Sequence, residues 1–235
     1  STGDHRIEAT AGYTARKVAS TGFDAAVDSL ANGMPVVPED LHMLSMGSPN
    51  RQTTSDWWQE EAFISYLARV SYAYRSRYLL TATFRADGSS KFSPKNRWGY
   101  FPSVGLGWVI SDENFMKGTR TWLDFAKIRA SWGMLGNDKI GNYLYYPTIN
   151  PMGKQIMLNG QVVYIPTQAF EVDEDIHWEV MQGFDAGLQL QMLNNRVKLD
   201  FGYFNKTTKD LLAYVSPSSS LGAGYVITNA GSIKN

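Results

Sequence analysis

With 235 residues balanced at a formal net charge of zero and a pI near 6.8, the chain has no basic field to draw nucleic acid and no acidic tail for a polycation. The absence of cysteine excludes disulfide frameworks, thiol catalysis and Cys-based zinc sites. A hydrophobic share of 43% suffices for a sizeable domain, yet no apolar run reaches the roughly 18 residues of a membrane-spanning helix.

The remaining signal has a period of two, the spacing at which strand side chains return to one face. Ile7, Ala9, Ala11, Tyr13 and Ala15 alternate with Arg6, Glu8, Thr10, Thr14 and Arg16, predicting a strand over residues 6–16. Residues 62–74 place Ala62, Ile64, Tyr66, Ala68, Val70, Tyr72 and Tyr74 on one face, and residues 78–86 repeat the pattern after the tight link Arg75-Ser76-Arg77, giving an antiparallel hairpin. Over residues 98–110, Trp98, Tyr100, Val104, Leu106 and Trp108 share a face with Pro102, which removes a ladder donor and predicts a bulge or a broken bond. Ala126, Ile128, Ala130, Trp132 and Met134 oppose Lys127, Arg129, Ser131 and Gly133. Two further strands come next, with Trp178, Val180, Phe184, Ala186, Leu188 and Leu190 on the apolar face of the first and Val197, Leu199, Phe201 and Tyr203 on that of the second; Asn194-Asn195 turns between them. Residues 227–235 begin a last one, for about eight strands of roughly ten residues each.

Long and short connections between these strands take turns, apart from the middling one before Ala126. In an up-and-down sheet this puts the long loops at one end, as in outer-membrane barrels, whereas a soluble sandwich has no reason to segregate them. Trp98 and Trp108, ten residues apart on one face, lie about 23 Å apart along the membrane normal at 3.3 Å per residue and 45° tilt, matching an apolar band with aromatic edges. Arg69, Arg85, Lys127, Arg129, Asp185, Lys198 and Asp200 all avoid the apolar face. The expected fold is therefore all-β: an antiparallel up-and-down transmembrane β-barrel, residues 1–235 forming part of a larger one. The opening STGDHRIEAT has neither the basic nor the apolar region of a signal peptide, in keeping with a piece of a longer chain.

Three segments in order, RYLLTATFRADGSSKF (77–92), RWGYFPSVGLGWVISDENFMK (97–117) and LDFAKIRASWGMLGND (123–138), resemble hallmark segments of the SusC/RagA family of TonB-dependent outer-membrane transporters. WEVMQGFDAGLQLQMLNNRVKLDFGYFNKTTKDLL (178–212) and NAGSIKN (229–235) are similar to the next segments of that family, while the first sixty residues fit by position only. The resemblance implies a 22-stranded barrel around an N-terminal plug, a SusD-like surface lipoprotein as lid, import of oligosaccharides or peptides, and energy from an inner-membrane motor through TonB. It implies a Gram-negative, Bacteroidetes-like outer membrane; plug and TonB box have no counterpart in residues 1–235, so coupling is expected to run through parts outside this chain.

Chemistry is expected to be binding and passage, not catalysis: no Ser/His/Asp grouping or facing carboxylate pair can be assembled, and no cofactor is expected. Candidate substrate-path residues on the lumen side are Arg69, Arg85, Asp87, Arg129 and Asp185, with Gly105, Gly107, Gly183 and Gly187 letting a plug or substrate approach the wall, or serving as bend points. Trp57 and Trp58, where a long loop is expected to descend into the second strand, offer one ring for stacking on a sugar and one for the outer girdle. His5, His42 and His177 are too scattered to bind metal, and EVDEDIHWE (171–179) lacks the spacing of a calcium loop and reads as a solvated acidic loop. ADGSS (86–90) reads as a turn without the lysine and helix of a P-loop. Besides a transporter, the pattern admits a barrel serving mainly as an adhesion or docking scaffold, and a soluble all-β glycan-active enzyme.

Overall fold

The computed structural model describes residues 3–27, 44, 47–48, 52–147, 149–168, 172–216 and 225–234; His42 and Glu171 lie outside them. The described strands are β1 (His5–Val27), β2 (Gln52–Tyr74), β3 (Tyr78–Ser89), β4 (Trp98–Val109), β5 (Leu123–Asn137), β6 (Ile149–Leu158), β7 (Gln161–Gln168), β8 (Glu179–Met192), β9 (Val197–Lys209), β10 (Leu212–Val215), β11 (Val226–Asn229) and β12 (Ser232–Lys234). Eight of them form one sheet in the order β1-β2-β3-β4-β5-β8-β9-β12, an antiparallel meander that does not close on itself. The chain divides into two compact units, Ser1–Arg16 with Ala62–Asn235, and Lys17–Glu61.

The alternation in the sequence sets the register. Tyr72, Leu80, Leu106, Ala130, Ala186 and Tyr203 fall in one row across β2, β3, β4, β5, β8 and β9, with every member on the apolar face. The opposite face carries the parallel row Ser71, Thr81, Gly105, Ser131, Asp185 and Phe204. Since a one-residue slip would exchange the faces, this pattern pins the register strongly.

The apolar face is open: Leu106 is 57% exposed, Phe201 58% and Tyr203 62%. Burying one such side chain is worth about 1.5–3 kcal/mol, so a whole face left in water would forfeit many times that amount. Aromatic rings border the face at both ends. Tyr74, Tyr78 and Trp108 stack in sequence at 6.2 and 6.3 Å where the short turns lie, and the pairs Tyr66–Trp98 and Phe84–Tyr100 stack at 6.0 and 6.2 Å where the long loops lie.

At the short-turn end Arg75 and Ser76 both adopt left-handed φ, 49° and 56°, and the Arg77 amide donates to Tyr74 O, the mirror-image turn whose twist suits a hairpin. Leu193, Asn194 and Asn195 turn likewise between β8 and β9, as Asn-Asn predicts. The middling connection before β5 is folded into two 3-10 turns, Ile110–Asp112 and Asn114–Thr119.

Several expectations are revised. β1 and β2 each run 23 residues, so Trp57 and Trp58 lie within β2 and not in a loop leading to it. Of the two outcomes expected at Pro102, the bulge is not found, since it pairs with Phe84 in unbroken register, and the interrupted bonding is, since the β4–β5 ladder begins one residue later at Ser103↔Gly133. The missing donor is thus placed where no ladder bond is made. β3 continues through Gly88 and Ser89, leaving only residues 90–97 as the turn, because Asp87 is buried with Ser65 donating to it at 2.5 Å and the Trp98 ring lies so close over Gly88 that a Cβ there would stand 3.2 Å from it.

Further differences lie in the long loops. The connection after β5 contains the hairpin β6–β7, turned by Asn159 and Gly160 at φ of 51° and 78°. The last predicted strand is two: β11 pairs with β10, and only β12 pairs with β9. Trp178 precedes β8 and is 5% exposed, turned into a small core with Phe92, Phe101, Ile176 and Ile227 instead of onto the apolar face.

Candidate functional site: the polar face and the loops above it

β5, β8 and β9 bring Lys127, Arg129, Asp185, Lys198 and Asp200 to the polar face. Arg129, beside Gly107 and Gly187 in the ladder, donates to Asp200 Oδ1 at 3.3 Å, and Gln189 donates to the other oxygen of that carboxylate at 2.9 Å. The glycine is needed: a Cβ at Gly187 would stand 2.5 Å from Arg129 Nε and 3.1 Å from Phe201 O. Arg129 therefore lies flat along the wall, its charge shared with Asp200. Beside it is a hollow of about 260 Å³ whose polar lining comprises Thr81, Lys127, Arg129, Ser131 and Asp185.

Thus two of the five path candidates, Arg129 and Asp185, meet in one hollow with opposite charges. Arg85 and Asp87 form a separate pair at 2.9 Å, in which the Asp87 side chain is only 7% exposed. With Ser65 on its other oxygen, Asp87 holds Arg85 in place and offers little surface of its own. Arg69 is exposed, opposite Thr83 on β3. Lys127, Gln189 and Asp200 complete the constellation, and their odd-even placement was the available signal.

In the unit Lys17–Glu61, the Trp57 ring packs directly on Gly22, filling the space a side chain would take, while Trp58 is 58% exposed. Lys17 and Glu60 form an ion pair at 2.9 Å in the same unit.

The long loops are tied to one another. Trp178 Nε1 donates to Arg97 O at 3.1 Å, and its ring meets Phe101 and Phe63 edge-on and tilts against Phe92. Asn96 donates to the carbonyls of Asp175 and Ile176, and Ser89 Oγ to Asp138. The acidic run is not simply solvated: Thr228 donates to Asp173 at 2.5 Å, Glu179 accepts from Asn137 and the Leu212 amide, and Asp175 is paired with Lys95. The Lys95 hydrogen bond holds the Asp175 carboxyl below its ordinary range, and the same contact raises Lys95. Among the described residues no group of three or more acidic or histidine side chains could hold a metal. Phe92 and Ile176 anchor this core, each an apolar residue isolated in a polar loop.

Residues 2–235 match the family described as TonB dependent receptor-like, beta-barrel. The chain is 37% identical to the TonB-dependent receptor SusC of Bacteroides thetaiotaomicron over 177 residues, 73% of this chain and 17% of SusC. A TonB-dependent receptor of Formosa agariphila is 36% identical over 186 residues, 79% of this chain and 17% of that protein. In fold it is similar to a chain of the RagAB peptide importer in its closed-closed state, with a TM-score of 0.78 at 24% identity, over 98% of this chain and 24% of that one. The chain thus spans about a fifth of the length of these relatives. With eight meandering strands, one apolar face edged by aromatics and the hallmark segments in order, the chain belongs to the TonB-dependent receptor β-barrel family, in its SusC/RagA branch.

Proposed function

We propose that this chain is a wall segment of an outer-membrane importer that draws energy through TonB and takes up oligosaccharides or peptides with a SusD-like surface lipoprotein. The observation that carries the reading is the two-faced sheet, apolar with aromatic borders toward lipid and polar with paired charges toward the lumen. On this reading the long loops are extracellular and the turns at residues 75–77 and 193–196 periplasmic.

Arg69, Arg85, Arg129 and Asp185 line the cargo path, and Asp87 positions Arg85. Alternating charges along such a wall offer weak, repeated contacts to hydroxyl-rich or amide-rich cargo without trapping it, since each cation already has a carboxylate close by or stands in water. Trp57 and Trp58 supply ring faces for cargo entering from outside. Similarity in fold to the RagAB peptide importer favours peptide as one cargo class, while oligosaccharide follows from the resemblance of the hallmark segments to the SusC/RagA family. The work of the chain is passage, with no bond made or broken.

Deleting the intact gene and measuring uptake of labelled oligosaccharides and peptides tests this. Loss of one cargo class supports the proposal, and unchanged uptake of every candidate would sink it.

A further inference from the structure

On the apolar face, at its short-turn end, lies a hollow of about 660 Å³ bordered by Tyr72, Tyr78, Leu80, Leu106, Trp108 and Ile128. Its shape is set by residue sizes. The stacked rings of Tyr78 and Trp108, planes within 12° of each other, stand as a wall, while Ala130 in the adjoining row leaves the floor low. The rings are held from outside the hollow: Tyr78 OH donates to Glu113 Oε1 at 2.6 Å and Trp108 Nε1 to the same oxygen at 3.1 Å. These hydrogen bonds draw the polar edges of both aromatics toward Glu113 and leave ring faces lining the space.

Arg77, next to Tyr78, also reaches Glu113, at 3.4 Å. Its side chain is 26% exposed, and that contact uses one of the five N–H donors a guanidinium carries. An apolar hollow without polar partners does not hold water well, and in a bilayer it faces hydrocarbon.

We infer that this hollow is a phospholipid site of the periplasmic leaflet, an acyl chain lying against Leu80, Leu106 and Ile128 under the aromatic wall and the phosphate resting on Arg77. The inference rests on the membrane reading above. It differs from general lipid contact in having a fixed wall, a floor lowered by one small residue and a cation at headgroup level.

The test uses the full-length transporter, purified in mild detergent, incubated with phosphatidylethanolamine and weighed by native mass spectrometry. Ala130→Phe fills the floor and is expected to cut retained lipid at least tenfold; Ala130→Leu provides a milder filling. Arg77→Gln is expected to weaken retention several-fold for phosphatidylethanolamine and not for diacylglycerol, which lacks the phosphate. Ala68→Phe, on the same face toward the long loops, is expected to retain lipid like the unaltered protein. Equal retention by both Ala130 variants, or equal loss in Ala68→Phe, means bulk lipid only and overturns the inference. Membrane fractionation and heat-modifiable electrophoretic mobility are read in parallel. A protein absent from the outer-membrane fraction overturns the membrane reading as well, whereas a folded, membrane-resident Ala130→Phe that keeps its lipid overturns this inference alone.

Discussion

Trp178→Ala removes the centre of the loop core. The ring touches Phe63, Phe92 and Phe101 and is 5% exposed, and its Nε1–H is bonded to Arg97 O. Truncating a buried Trp costs about 3–5 kcal/mol in transfer and cavity terms. The lost hydrogen bond adds little, because the Ser89 amide also donates to Arg97 O. If the core acts locally, that cost falls on loop opening: at 1.4 kcal/mol per factor of ten, amide exchange in residues 90–97 and 172–178 should speed up by roughly 10² to 10³-fold or more. The ladders β2–β3 and β8–β9 near the short turns should keep their protection. Hydrogen exchange on the full-length protein reads both regions at once, with Trp178→Phe as a partial restoration. Unchanged exchange in the two loops, or equal loss throughout the sheet, would refute a locally acting core.

Other outcomes rest on named contacts. Asp175, held below its ordinary range by Lys95, stabilises the loops above the usual carboxylate pKa of about 3.9 and loses that effect as the pH falls through its lower folded value. Pepsin cleavage within residues 90–97 should therefore rise toward low pH, and Asp175→Asn should flatten the dependence; an equally steep curve in the variant would count against the pair. Ser76→Gly relieves a left-handed residue and should stabilise the protein by about 1 kcal/mol, seen as a higher temperature for the heat-modifiable mobility shift, whereas a lower one would contradict the strain. Gly187→Val should lift Arg129 off the wall and break its contact with Asp200, destabilising by about 1–3 kcal/mol and changing the cargo size range in uptake assays. Uptake of every size at the original rate would count against a role for that wall.

The sheet was legible because lipid and lumen impose opposite demands on alternate residues, so that Tyr78 to Ala86 or Ala126 to Met134 betray both their strand and their faces. Ends and loops were less so. Trp178 continues the parity of Val180 and Phe184, and period two alone cannot tell a lipid-facing ring from one folded over the end of the sheet onto Phe101. The β6–β7 hairpin did carry a local signal, Asn159-Gly160 between apolar runs, and was hidden by the absence of a clean polar face: Ile156, Met157 and Leu158 are consecutive. In the site, the polarity of Arg85 and Arg129 was readable from parity, but their different partners, Asp87 two residues away and Asp200 two strands over, required the register.

Pro102 marks where two kinds of seam meet. On one side of it β4 and β5 are joined by backbone bonds from Ser103 to Val109, and beyond it Phe101, packed close against Gly99 and Gly136, fills the fork. Residues 98–101 of β4 still pair with β3 and residues 134–137 of β5 with β8, so the register of the fork is set from its outer sides, and the segments outside these ladders are the loops before Trp98 and after Asn137. Loop lengths before β4 and after β5 can therefore change while the two alternating rows of the sheet stay in place, which separates what decorates the end of the sheet from what holds its strands together.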